Sequence, residues 1–233
     1  MTAIAKFAGL VRAFGAPNAA LYVFGRALRT VFPRVNVYRY YIVAQPVAPA
    51  DLLPARRGKS IEVRELTRGD PAFAALPLDE RVLDFRFAQD ALCLGAFQDG
   101  RPIGCLWLAF GAYEEDEVRC VFGLPAGVAW DFDVYLRPDA RLGFGFLRLW
   151  DAANAELRGR GVGWSMSRIS GFNPGSMASH ARLKATRVGS LTALKGPRRQ
   201  LVLSSCPPRV SFGRHDGELP RFRFQPPEKS APT

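Results

Sequence analysis

Apolar residues recur along this chain at two spacings, and the switches between them mark out helices and strands. Near the start, Ile4, Phe7, Ala8, Val11 and Phe14 fall three or four apart, and Leu21, Phe24, Leu28 and Val31 repeat the pattern beyond Pro17. Two amphipathic helices are predicted, with Lys6, Arg12, Arg26 and Arg29 off the apolar stripes. After Pro33 the run VNVYRYYIVAQPV is rich in β-branched and aromatic residues and stops at Pro46, the pattern of a strand. APADLLPARRGK follows as a connector of proline, alanine and charge. A boundary near residue 58 therefore separates an N-terminal extension (1–58) from a main domain (59–206), and a proline-rich basic tail (207–233) closes the chain.

The main domain has its own rhythm. SIEVREL reads as a strand, PAFAALP and LDERVLDFRFAQ as helical stretches with Asp79 as an N-cap. ALCLGAF and RPIGCLWLAFGAY are two apolar runs joined by QDGRP, and Asp99-Gly100 predicts a tight hairpin because both residues tolerate positive φ. Past the acidic loop EEDE come VRCVFGLP and the strand VAWDFDVYLRP, then a helix with Phe146, Leu149, Trp150, Ala153 and Leu157 on one side. GWSMSRIS, the helix NPGSMASHARLKA, and the strands TRVGSLTAL and RQLVLSS complete an α/β (α+β) pattern.

Charge changes the picture at the ends. The chain of 233 residues carries a net charge of +11. The first fifty residues hold six basic residues and no acid, residues 182–233 hold eleven basic against three acidic, and the centre is slightly acidic. Such ends attract anionic lipid, acidic carrier proteins, phosphorylated cofactors or nucleic acid. Nucleic acid ranks last, since no zinc finger, basic zipper or aromatic-glycine RNA motif is present and PRFRFQPPEKSAPT reads as a solvated tail. No apolar run reaches the ~20 residues that span a bilayer, and Arg12 interrupts any signal-peptide core. The expected setting is cytoplasmic, or peripheral at a membrane. The two apolar stripes are expected to pack on the protein's own core, with the strand after Pro33 joining the main sheet.

Cys93, Cys105, Cys120 and Cys206 show no C-x-x-C spacing and suit reduced thiols better than disulfides or zinc. With only His180 and His215, a multi-histidine metal site is excluded, and no metal is expected.

The stretch PDARLGFGFLRLWDAANAELRGRG sets Gly143 and Gly145 at the mouth of a helix. Two readings stay open at this point. The first amides of a helix lack internal partners and attract anions; glycine also lets a helix pack closely on a strand.

The strand leading into RLGFG, the helix and strand after it, and Asn173 with Ser176 before RLKATRVG resemble the core of the GNAT superfamily of acyl-coenzyme A-dependent N-acyltransferases. The resemblance covers about residues 59–204, with its specific motifs at 130–189. The family's pyrophosphate loop, Gln/Arg-x-x-Gly-x-Gly/Ala, aligns with Ala140-Arg141-Leu142-Gly143-Phe144-Gly145; both glycines match and the first position does not. The resemblance implies a central mixed, mostly antiparallel sheet flanked by helices. It also implies that the backbone of Arg141, Leu142, Gly143, Phe144, Gly145 and Phe146 cradles the pyrophosphate of acetyl-coenzyme A or another acyl-coenzyme A. Val134, Tyr135 and Leu136 would hold the pantetheine arm, and Asn173 and Ser176 would take part in cofactor binding.

Alternation along the strand puts Asp131, Asp133 and Tyr135 on one face and Phe132, Val134 and Leu136 on the other. Asp133 or Asp131 could take the proton of an acceptor amine, or recognise its ammonium, or serve a structural hydrogen bond. Members of the family often place an acidic tyrosine seven or eight residues after the asparagine; here position seven is His180, which either protonates the leaving thiolate or is a surface histidine. The expected function is transfer of an acyl group, acetyl by preference, from acyl-coenzyme A to a small-molecule or peptide amine. The alternatives are a catalytically silent module that binds acyl-coenzyme A or a partner, and a long-chain N-acyltransferase that works with an acyl carrier protein at an anionic membrane surface.

Overall fold

The computed structural model describes residues 3–54 and 56–228. In chain order its elements are α1 (Ala3–Phe14), α2 (Ala16–Val31), β1 (Asn36–Pro46), β2 (Ile61–Leu66), a 3-10 turn (Pro71–Ala75), α3 (Glu80–Phe87), β3 (Leu92–Gln98), β4 (Arg101–Phe110), β5 (Ala112–Glu115), β6 (Cys120–Gly123) and β7 (Val128–Leu136). A second 3-10 turn (Pro138–Ala140) leads to α4 (Gly145–Gly159), β8 (Trp164–Ser170), α5 (Pro174–Arg182), β9 (Thr186–Lys195), β10 (Arg199–Ser204), β11 (Val210–Arg214) and β12 (Arg221–Phe222). The architecture is mixed α/β, as the sequence pattern predicts, with mostly antiparallel ladders flanked by helices, as the GNAT resemblance implies.

The chain divides into two compact units, one of residues 46–113 and 124–166, the other of residues 1–45, 114–123 and 167–233. These are not the divisions expected at 58 and 206. The reason is β1, which pairs antiparallel with β9 from Asn36↔Lys195 to Ala44↔Thr186 and so ties the N-terminal segment to the C-terminal third.

The first unit is built on β2, β3, β4 and β7, antiparallel in that order. Gln98 pairs with Arg101 across Asp99 (φ 50°) and Gly100 (φ 74°), the two-residue hairpin turn that the sequence predicts. Asp79 caps α3 by accepting from the Arg81 amide at 2.7 Å. Helix α4 lies across all four strands and buries Leu149, Trp150, Ala153 and Leu157 completely. Its buried polar residues also have work: Asp151 accepts from the Leu52 amide at 2.6 Å and Asn154 from the Ala48 amide at 3.2 Å, which fastens the connector expected after β1 to the helix.

In the second unit β1, β9, β10 and β11 form an antiparallel ladder, and β12 pairs parallel with β6. The C-terminal stretch is therefore not a solvated tail over 210–224. β11 extends the ladder, and Phe222 and Phe224 are buried against Phe122. Residues 229–233 of the expected tail, and Met1 and Thr2 of the expected extension, lie outside the described residues. The acidic loop is likewise partly interior: Glu115 is buried and takes a two-pronged ion pair from Arg168, at 2.5 and 2.7 Å. Arg168 also reaches Glu117 at 2.9 Å, Glu117 accepts from the Tyr40 hydroxyl at 2.8 Å, and the guanidinium lies 4.4 Å over the Tyr40 ring. Burial pushes the Glu115 carboxyl up to about 7, against the pull of the Arg168 charge.

Candidate acyl-coenzyme A site

β7 carries the geometry. Along its antiparallel partner the register runs Trp107↔Phe132 and then Cys105↔Tyr135, so two steps on β4 match three on β7. The extra residue is a β-bulge, and it sits at Asp133, whose φ is 48°. Aspartate tolerates this left-handed conformation better than most residues. Just beyond the bulge, where Gly104 pairs with Leu136, the two backbones close in: a Cβ on Gly104 would lie 2.3 Å from the Tyr135 carbonyl oxygen, so only glycine fits there.

The bulge corrects the reading of the two carboxylates. Simple alternation places Asp131 and Asp133 on one face, opposite Phe132, but the inserted residue breaks the period of two. Asp133 pairs with Arg86 of α3 at 2.8 Å, and that guanidinium lies 5.3 Å from the Phe132 ring and 5.0 Å from Trp107, so Asp133 shares the side of Phe132. Asp131 is 1% exposed and accepts from the Ser165 hydroxyl at 2.6 Å. The Asp133 side chain keeps 44% of its surface. Of the two, Asp133 alone can meet a substrate.

On its other edge β7 pairs parallel with β8 through three positions, from Val128↔Trp164 to Trp130↔Met166, and that ladder goes no further along β7. From Asp131 to Leu136 the strand therefore runs with β4 on one edge and without the β8 ladder on the other. Val134 and Tyr135 are half-buried there, and Leu136 is buried.

Immediately beyond, the chain turns through Pro138–Ala140 into α4. The N-cap position is Phe144, with no side-chain cap and no acid in the first turn, so the leading amides meet neither a capping oxygen nor a competing carboxylate. The Gly143 amide is spent on the Ala140 carbonyl at 3.2 Å. The two glycines have different reasons. A Cβ on Gly145 would come within 3.0 Å of Leu136 and 3.4 Å of Ile103, so close helix-on-strand packing accounts for it; at Gly143 the nearest heavy atom would be the Ala140 oxygen at 3.5 Å, so packing asks for nothing and the space above it stays open. The packing reading holds at Gly145, whereas Gly143 has no packing reason to be glycine.

Three guanidinium groups border this helix start. Arg141 is tethered by its Nε to the Leu136 carbonyl at 3.0 Å, Arg57 lies 5.9 Å over the Phe144 ring, and Arg148 bonds the Ile61 carbonyl at 3.4 Å. Sequence reasoning misses Arg57 and Arg148, because Arg57 belongs to a connector and Arg148 falls on the polar side of a helix, where a cation needs no special explanation. These residues fit the anionic end of acyl-coenzyme A, because uncapped helix amides, an open glycine and nearby cations all favour a phosphate.

The α5 residues lie in the other unit. Asn173 is the N-cap of α5 and accepts from the Ser176 amide at 3.0 Å, a structural role. His180 is not at the surface: it is 7% exposed, and its Nδ1 stands 2.9 Å from the Ser176 carbonyl. A carbonyl only accepts, so the proton belongs on Nδ1.

No protein-family model matches the chain, and no curated protein sequence matches it. Among solved structures it is similar to an acetyltransferase assigned to the GNAT family from Novosphingobium aromaticivorans, at 17% identity and a TM-score of 0.49, over 70% of this chain and 66% of that one. It is similar to a conserved protein of unknown function from Staphylococcus epidermidis at 7% identity and a TM-score of 0.49, over 74% of this chain and 66% of that one. It is also similar to an aminoglycoside acetyltransferase from an uncultured soil metagenomic sample, at 12% identity and a TM-score of 0.42, over 55% of this chain and 89% of that one. GNAT-family acetyltransferases thus recur among the solved structures to which this chain is similar, at low identity throughout.

Proposed function

We propose that this chain is a GNAT-type acyltransferase that moves an acyl group directly from acyl-coenzyme A to an amine. One observation carries the reading: the bulge at Asp133, the end of the β8 ladder at Trp130 and the uncapped start of α4 follow one another along a single stretch of chain. Backbone groups of Val134–Leu136 on the edge away from β4 would hydrogen-bond the amides of the pantetheine arm. The leading amides of α4, the open space at Gly143 and the cations Arg57, Arg141 and Arg148 would hold the pyrophosphate.

The neutral acceptor nitrogen attacks the thioester carbonyl; the C–N bond forms, the C–S bond breaks with its electron pair going to sulfur, and the proton shed by the nitrogen passes to water. A thiol has a pKa near ~8.5, so the sulfur leaves as a thiolate without an obligatory acid, and water can reprotonate it. This reading gives no task to His180. Asp133 is the carboxylate within reach of an incoming ammonium, and Asp131 acts on β7 from within through Ser165. Holding the two reactants together supplies most of the rate, since the thioester is already activated.

The test is Gly143→Glu. The site has room for the side chain, and Gly143 precedes the N-cap Phe144, so no helical position changes and the fold should persist. Calorimetry should show wild-type binding of coenzyme A and a loss of about a hundredfold or more in the variant, from charge repulsion against the pyrophosphate. A wild-type protein that ignores coenzyme A, or a variant that binds it equally well, overturns the assignment.

A further inference from the structure

The N-terminal helices leave part of the stripes that their sequence advertises uncovered. On α2 the residues Ala20, Phe24, Ala27 and Val31 recur at i, i+4, i+7 and i+11 and share one face. That face is bare: Phe24 is 54% exposed and Val31 is 70% exposed. The buried residues of α2 are Asn18, Ala19 and Gly25, on the opposite side of the helix. α1 packs against α2, and it too carries exposed apolar side chains, Ile4 at 82% and Phe7. The expectation that both stripes pack inward holds only in part: Ala8, Val11, Phe14, Leu21 and Leu28 are half-buried, with Phe14 against Tyr22 and Phe172, while Ile4, Phe7, Phe24 and Val31 are exposed.

The hairpin also carries exposed cations. Lys6, Arg12, Arg26, Arg29 and Arg34 are all exposed, and the first fifty residues contain no acid. Arg26 and Arg29 lie off the apolar face, towards the side that packs on the protein. Outward apolar residues with cations set behind them are what a helix lying in a membrane interface presents, with its apolar side among acyl chains and its cations at the phosphates. A second copy of the chain is a poor occupant, since two such faces would set cation against cation. No helix among the described residues is long and apolar enough to cross a membrane, so contact would be along the surface.

We propose that the α1–α2 hairpin is a docking surface for an anionic lipid bilayer, with Ile4, Phe7, Phe24 and Val31 entering the interface. This stands independently of the acyltransferase reading, since no coenzyme A-binding residue is involved.

The experiment uses the full chain and vesicles of phosphatidylcholine, alone or with about 30% phosphatidylglycerol, a content that gives a strongly anionic surface. The protein should sediment with the anionic vesicles and not with the neutral ones, and less as salt shortens the range of attraction. Phe24→Glu and Val31→Glu should each weaken partitioning by roughly tenfold to a hundredfold, since each removes one large apolar side chain from the contact. Both should melt like the wild type. In Phe24→Trp, the added tryptophan emission should shift to the blue on anionic vesicles alone. Equal binding to neutral vesicles, or undiminished binding by the Phe24→Glu protein, overturns the proposal. So does a concentration-dependent dimer that Phe24→Glu dissolves, or failure to bind vesicles while an acidic carrier protein binds through Phe24.

Discussion

Helices α4 and α2 are alike in sequence and behave as opposites in the structure. Each has four or so apolar residues at helical spacing and basic residues elsewhere. In α4 the stripe of Leu149, Trp150, Ala153 and Leu157 is covered by four strands, and two buried polar residues, Asp151 and Asn154, satisfy amides of the connector. In α2 the stripe is split, with Leu21 and Leu28 half-buried and Phe24 and Val31 exposed, and the side that is fully buried is small. A Cβ on Gly25 would sit 3.1 Å from the Val37 Cβ, and Asn18 donates to the Tyr41 hydroxyl at 2.7 Å. Periodicity shows that a helix has a distinct face; it does not say whether protein, lipid or water meets that face. A close approach through small residues can hold a helix without its apolar stripe.

The largest expected effect breaks α4. Leu157→Ala or Trp150→Ala empties a fully enclosed position and should cost about 3–5 kcal/mol, read as a shift in the denaturant midpoint at constant slope. A loss below about 1 kcal/mol would mean that the covering strands close the space, and the contrast with α2 would lose its energetic meaning.

A middle effect tests what holds α2. Gly25→Leu drives a branched side chain into Val37, so the helix must tilt away or distort, at a cost of about 1–3 kcal/mol. Proteolysis should then cut between α2 and β1 sooner than in the wild type. If the variant is as resistant and as stable as the wild type, the small face is not the anchor.

The same contrast explains what can be read from sequence. Signals confined to a few neighbouring residues are legible: the Asp99-Gly100 hairpin, the Asp79 cap, the covered stripe of α4 and the β-branched run that forms β1. Features made by distant partners are not. The bulge in β7 sets two residues, Asp133 and Val134, against the single Leu106 of β4, and nothing in VAWDFDVYL alone announces an inserted residue; the one available hint is an aspartate, which accepts positive φ. That single residue separates Asp131 from Asp133 and undoes the shared face. Glu115 finds Arg168 across 53 positions, so the acidic loop alone gives no sign of the pair. Phe222 and Phe224 alternate with Arg221 and Arg223, a strand-like pattern that the surrounding prolines and charges conceal. In the glycine loop the motif is visible, but only the contacts of Leu136 and Ile103 assign one glycine to packing and leave the other without a packing reason.

The smallest expected effect is the sharpest test of the comparison. Phe24→Ser takes a large aromatic from the centre of α2, a change that in a packed stripe would cost several kcal/mol. Here the ring is more than half in water, so little apolar surface returns to solvent on unfolding, and serine loses only a few tenths in helix propensity. Stability should change by no more than about 0.5 kcal/mol, within the range of ordinary surface substitutions. The informative readout is solubility, since removing an exposed aromatic should reduce association at high protein concentration while the melting curve stays in place. A drop of about 2 kcal/mol or more would show that Phe24 is covered in solution, and α2 would then join α4 as an ordinary core helix.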